Sequence, residues 1–281
     1  MELLEITRIE VIKMTTAGLK PVGKCFDKSL LATMAKVGKE QGIDTNNYEQ
    51  MAEKAKKYRT NIHNEWLDES GLTKLRSYYR KSLFEGGQVI HFQFNKWQPE
   101  LQENVKKAQE VAKQAFNLAT EMEKKPLKVL LIGEPGTGKT SLALAMMYRL
   151  RNQNQSAMFV SSTELVSMFW KSYRYEDVRK RKDEIIEAMK TVDVLVIDDF
   201  GTEGGVNGDK EAQRDVQQAI KEVATARYDM DNNRVLRSTI TTTNNSIEKL
   251  QRIYNPKLIS RLVPHRISQQ INFSGLEDVR E

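Results

Sequence analysis

The run Gly133-Glu134-Pro135-Gly136-Thr137-Gly138-Lys139-Thr140 constrains this chain more than any other feature. It follows a short apolar run, Val129 to Ile132, and precedes an apolar-periodic stretch, Ser141 to Leu150. Strand, glycine-rich loop and helix are the context in which G-x-x-x-x-G-K-[ST] works as a phosphate cradle. The glycines let successive backbone N–H groups turn toward one anion, and the following helix aims the positive end of its dipole at the same point. Lys139 would then reach the β and γ phosphates of a nucleotide, and the Thr140 hydroxyl would face a magnesium ion.

Beyond Pro126 the pattern repeats. Short apolar runs at Val129 to Ile132, Ala157 to Val160, Val192 to Ile197, Ser238 to Thr242 and Ile267 to Phe273 alternate with helical stretches. Such alternation predicts an α/β fold around a mostly parallel sheet with crossover helices. The run Val192-Asp193-Val194-Leu195-Val196-Ile197 ends in Asp198 and Asp199. A doubly wound sheet presents ligand groups at its strand ends, so Asp198 is the expected magnesium carboxylate and Asp199 the group that orients or deprotonates water. An aspartate is one methylene shorter than a glutamate, which predicts slow, switch-like hydrolysis.

Composition narrows the function classes. With 44 Lys and Arg against 38 Asp and Glu, the net charge is +6, a mild excess that suits an anionic partner. One cysteine, Cys25, allows no intrachain disulfide and no Cys-rich zinc site, and fits a reducing compartment. Neither a leader pattern nor a membrane-length apolar run is present, which predicts a cytoplasmic protein. The scattered His63, His91 and His265 form no metalloprotease or triad motif.

Ahead of the loop, Tyr48, Met51, Ala55, Tyr58 and Ile62 recur at helical spacing, whereas the first 40 residues keep no clean period. A second stripe, Leu101, Val105, Ala108, Ala112, Ala115, Ala119 and Met122, predicts another helix after Pro99. Between them, residues 71–98 read as a linker with anchoring aromatics, including Tyr79, Phe84, Phe94 and Trp97.

Taken with the phosphate loop, Ile197-Asp198-Asp199-Phe200-Gly201, Thr242-Thr243-Asn244 and Leu258-Ile259-Ser260-Arg261-Leu262 make residues from about 70 to 281 resemble the AAA+ helicase loaders of the DnaC/DnaI type, with the IstB transposition ATPases as close relatives. The resemblance implies a AAA+ ATPase domain at 101–281, a linker at 71–100 and a smaller, mainly helical partner-binding domain at 1–70. It implies ATP and Mg²⁺ as ligands, bound by Gly133 through Thr140 with Asp198. It further implies roles for three polar residues. Asn244 matches a residue that holds the attacking water, although an asparagine capping the helix near Ile247 is the plainer reading and Asn245 competes for either role. Arg261 matches an arginine finger that reaches ATP on a neighbouring subunit, against a solvated helix arginine. Arg280, in Gly275-Leu276-Glu277-Asp278-Val279-Arg280, matches a terminal arginine that contacts the nucleotide, against a solvent-exposed charge.

The family also grips single-stranded DNA on helices that follow the second strand. There this chain has Lys171, Arg174, Arg179, Lys180, Arg181 and Lys182, with Tyr173 and Tyr175 interleaved. Basic groups track a phosphate backbone and aromatic faces stack bases, whereas an ordinary charged helix face is the bland alternative. A second basic stretch, 249–266, carries five basic residues and no acid, and Arg261 is one of the five. The expected partners are a DnaB-type helicase hexamer, single-stranded DNA and further copies of the chain. A transposition ATPase that binds duplex DNA, and an adaptor that captures a helicase without loading it, stand as alternatives. The glycine-rich segment 201–209 departs from the family and carries no assigned role.

Overall fold

The computed structural model describes residues 75–204 and 211–280. The chain divides into two units, Met1–Trp66 and Leu67–Glu281. The readings made for residues 1–70, the helix from Tyr48 included, lie outside the described residues, as does most of the segment 201–209.

The ordered elements are α1 (Val105–Met122), β1 (Lys128–Ile132), α2 (Lys139–Asn152), β2 (Ala157–Ser161), α3 (Ser162–Ser172), α4 (Glu176–Thr191), β3 (Val194–Asp198), α5 (Arg214–Ala226), β4 (Tyr228–Asp229), β5 (Arg234–Val235), β6 (Ser238–Thr243), α6 (Ile247–Ile253), α7 (Pro256–Leu262) and β7 (Gln270–Asn272). Five strands pair in parallel in the order β2-β3-β6-β1-β7, and β4-β5 form a separate short ribbon. This is the α/β fold around a parallel sheet that the alternating pattern predicts.

Side chains alternate across each strand, so one sheet feeds two cores. Leu130 and Ile197 enter a cluster with Leu165, Ile185, Val216 and Leu258. Val129, Leu131 and Val196 enter the other with Val111, Leu118, Met146 and Phe273. Apolar residues on both faces are what a sheet covered by helices on both sides requires.

Local chemistry sets the helix ends. Asn104 accepts from the Lys107 N–H at 3.1 Å and starts α1 there, while Pro99–Leu101 form a separate 3-10 turn. The apolar stripe therefore begins at Val105, and Leu101 is 62% exposed. Two strand readings also shorten. Val192 is held by the Ala188 carbonyl at the end of α4, so β3 starts two residues later. Ile267–Gln269 is a 3-10 turn with Ile267 83% exposed, leaving only Gln270–Asn272 to pair with β1.

The segment before α1 packs on this core. The Leu83 N–H donates to Phe159 and its carbonyl accepts from Ser161, adding one bridge beside β2. Phe84 stacks on Phe159 at 4.7 Å, and the Trp97 indole N–H donates to the Ala108 carbonyl at 3.1 Å. No described helix is long and apolar enough to cross a membrane.

Candidate nucleotide site

The strand order brings the carboxyl ends of β1, β6 and β3 side by side, so the phosphate loop, the asparagine pair and the two aspartates meet at one edge of the sheet. Three glycines of the loop are crowded from outside. A β-carbon at Gly133 would fall 2.6 Å from the Phe273 β-carbon, one at Gly136 would fall 1.8 Å from an Asp278 carboxylate oxygen, and one at Gly138 would meet the Trp97 ring at 2.6 Å. Gly136 and Gly138 also hold φ of +74° and +92°, where a side chain is strained. Hence the loop is wedged between the segment before α1 and the chain that follows β7.

Lys139 is buried, and its ammonium donates to the Glu134 carbonyl at 2.6 Å. The Thr137 hydroxyl shares that carbonyl at 2.9 Å. Burial lowers the Lys139 pKa, while Asp199, Asp198 and Glu134 oppose the shift. A desolvated ammonium with a single carbonyl acceptor and no contacting carboxylate is suited to an anion.

Thr140 donates to Asp198 at 2.9 Å, which places the two expected magnesium ligands in contact. Asp198 is buried and receives a second hydroxyl, from Thr242, at 2.6 Å. Burial raises its pKa to about 6; the Thr242 and Thr140 hydroxyls and Lys139 pull it down, and Asp199 pushes it up. A hydroxyl and a carboxylate converging beside a phosphate loop form the hard oxygen donor set that magnesium takes. The residues present thus fit Mg·ATP.

Asp199 sits in the left-handed region, at φ +51°, and its N–H donates to the Thr242 hydroxyl at 2.9 Å. Aspartate tolerates that backbone better than most side chains. Thr242 therefore fixes both aspartates. Sequence reasoning quoted it only as part of a motif, and its role follows once β6 pairs with β3 and brings Thr242 opposite Asp198.

The two neighbouring asparagines differ. Asn244 is exposed, and its side chain makes no hydrogen bond among the described residues. Asn245 donates to the Gly201 carbonyl at 3.2 Å and is taken up in structure. Helix α6 is capped by Ser246, which accepts from Lys249, so the capping reading of Asn244 falls.

Arg280 comes to the site. It pairs with Asp278, with Nη2 to Oδ2 at 2.6 Å, and its charge lowers the Lys139 pKa. Arg261 does not. Its guanidinium donates to the Thr225 hydroxyl at 2.8 Å, and the neighbouring Ser260 carbonyl accepts from Lys128, the first residue of β1. The length of β1, about 13 Å, separates that point from the chain's own phosphate loop.

The basic segment forms the turn between α3 and α4 and the first half of α4. Trp170, Tyr173 and Tyr175 are 59%, 52% and 56% exposed. Tyr173 donates to Asp215, and Arg179 to the Ser172 carbonyl. Lys180 pairs with Glu176 and Lys182 with Asp183, whereas Lys171, Arg174 and Arg181 make no salt bridge among the described residues. Trp170 was absent from the sequence reading, because an aromatic inside an apolar helix stripe reads as core.

Fold and site together define a phosphate-loop nucleoside triphosphatase. More particularly, residues 129–269 match the ATPase family associated with various cellular activities (AAA), and the chain belongs to that family of ATPases. It is similar to the crystal structure of the DnaC helicase loader, at 20% identity and TM-score 0.49 over 64% of this chain and 95% of that one. It is also similar to DnaI, at 19% identity and TM-score 0.46 over 67% and 90%. A third similar structure is replication initiator DnaA bound to AMPPCP and single-stranded DNA, at 16% identity and TM-score 0.44 over 57% of this chain and 44% of that one. The chain thus spans less than half of that initiator's length. No curated protein matches in sequence.

Proposed function

We propose that this ATPase is a helicase loader that acts in DNA replication initiation in the cytoplasm, binding single-stranded DNA on the α3–α4 turn and a DnaB-type hexameric helicase through residues 1–70. The observation that carries this reading is the exposed combination of Trp170, Tyr173 and Tyr175 with Lys171, Arg174 and Arg181, which make no salt bridge among the described residues. Rings stack on bases of any sequence and cations follow the phosphates, which suits a strand gripped without sequence preference. The remaining basic residues of that segment, Arg179, Lys180 and Lys182, lie in the first half of α4.

On the chemical side, Lys139 neutralises the β and γ phosphates, and Thr140 and Asp198 would hold magnesium, which would supply further neutralisation of phosphate charge. Asp199 orients the attacking water and accepts its proton, with Asn244 as a second anchor for that water. Arg261 completes the site on a neighbouring copy, where its guanidinium meets charge developing on the γ-phosphate. Hydrolysis is slow because the Asp199 carboxylate is short and tied to one backbone conformation.

Fluorescence anisotropy on single-stranded and duplex oligonucleotides, with and without ATP, tests the assignment. The single strand is expected to bind more tightly, and replacing Lys171, Arg174 and Arg181 by alanine is expected to lower the salt slope by up to about 2. A marked duplex preference favours a transposition-type ATPase and overturns the loader reading. An unchanged slope removes the DNA contact from α3–α4. Co-purification with a candidate helicase, lost on deleting residues 1–70, tests the second half.

A further inference from the structure

Beyond the residues that match the family, the chain turns back over its own phosphate loop. Leu276 is buried and anchors the turn. The Gln102 side-chain amide grips the next residue at both polar atoms, donating to the Glu277 carbonyl at 2.8 Å and accepting from its N–H at 2.7 Å. The Val279 N–H donates to the Gly136 carbonyl at 3.4 Å. Between these two attachments the Asp278 carboxylate lies on the Cα face of Gly136, where a β-carbon would fall 1.8 Å from its Oδ1.

Asp278 also holds Arg280. The Arg280 backbone N–H donates to Oδ1 at 3.0 Å, Nε to Oδ1 at 2.9 Å and Nη2 to Oδ2 at 2.6 Å. The same guanidinium charge opposes Lys139 within the site. The Asp278–Arg280 pair thus lies against the loop that would hold a triphosphate.

We propose that Asp278 is a built-in counter-ion for Arg280, which a triphosphate displaces: on nucleotide binding Arg280 exchanges the Asp278 carboxylate for the γ-phosphate, and the tail detaches from Gly136. The proposal rests on the triphosphate reading of the loop and makes residues 276–280 the segment that senses occupancy. An exposed ion pair holds weakly, so a multiply charged anion competes with it successfully. Before the exchange Arg280 holds the Asp278 carboxyl well below the usual range, so Asp278 meets the incoming nucleotide ionised. Its negative charge beside the loop opposes the incoming phosphates until the exchange takes place.

Calorimetry with a non-hydrolysable Mg·ATP analogue tests this on four proteins: wild type, Asp278→Asn, Arg280→Gln and the double variant. Asp278→Asn is expected to bind about three- to tenfold more tightly, and Arg280→Gln more weakly. In the Arg280→Gln background the gain from Asp278→Asn is expected to fall below about twofold, because the pair acts as a unit. An Asp278→Asn protein that binds like wild type, binds more weakly, or gains equally with and without Arg280 overturns the exchange. Hydrogen exchange gives a second readout. The Val279 amide is expected to exchange faster once nucleotide is added, and unchanged or greater protection overturns detachment of the tail. A wild type that binds no nucleotide refutes the triphosphate reading itself, and the exchange with it.

Discussion

At the residue scale, one threonine decides how the two aspartates stand. Thr242 donates to Asp198 and accepts from the Asp199 N–H. Valine has nearly its shape without the hydroxyl, so Thr242→Val strips both contacts and leaves a buried N–H without its acceptor. The expected outcome is a loss of about 1–2 kcal/mol in urea unfolding and a fall of about 10- to 100-fold in ATP turnover. Turnover within twofold of wild type would show that the aspartates position themselves. The motif residues Lys139, Thr140 and Asp198 were legible in sequence because their spacing is tied to one local geometry, a loop between strand and helix. Thr242, Gln102 and Asp278 were not, since their roles depend on contacts that only strand pairing and the returning tail create. Asn244 and Asn245 show the same limit: adjacent in sequence, one is exposed and the other is bonded to Gly201.

At the scale of elements, a buried arginine joins the edge of the sheet opposite the site. Arg227, just past α5, is 3% exposed and donates to the carbonyls of Met189, Val192, Asp193 and Ser238 and to the Thr239 hydroxyl. These acceptors belong to the end of α4 and the starts of β3 and β6. Burial is the main reason its pKa falls to about 9, with Arg237 adding to the shift and Asp193 opposing it. Arg227→Met removes all five bonds, leaving the Asp193 carbonyl only its bond from the Ser238 N–H, and is expected to lower unfolding stability by about 3–5 kcal/mol. A change below about 1 kcal/mol would mean that water replaces the guanidinium without loss. Strand positions were readable from apolar runs, but their ends were not. Hydrogen bonding decided those ends: Asn104 caps α1 after Leu101, and Ala188 retains Val192 in the helical turn.

For the whole molecule, a mild positive charge, a parallel sheet and an ATPase site at its carboxyl edge combine with an exposed aromatic and basic turn at α3–α4. The fold class was legible because alternating apolar runs and helices leave few other arrangements. Arg261 belongs to this scale: its guanidinium bonds to Thr225, away from its own loop, and the proposed finger role therefore requires a second copy of the chain. All of these readings depend on triphosphate seated between residues 133–140 and Asp198. Titration calorimetry of Mg·ATP into wild type and Lys139→Ala tests that directly. The account predicts saturable heat for wild type, abolished or weakened at least about 10-fold by the substitution. No heat with wild type, or equal affinity in the variant, would contradict it.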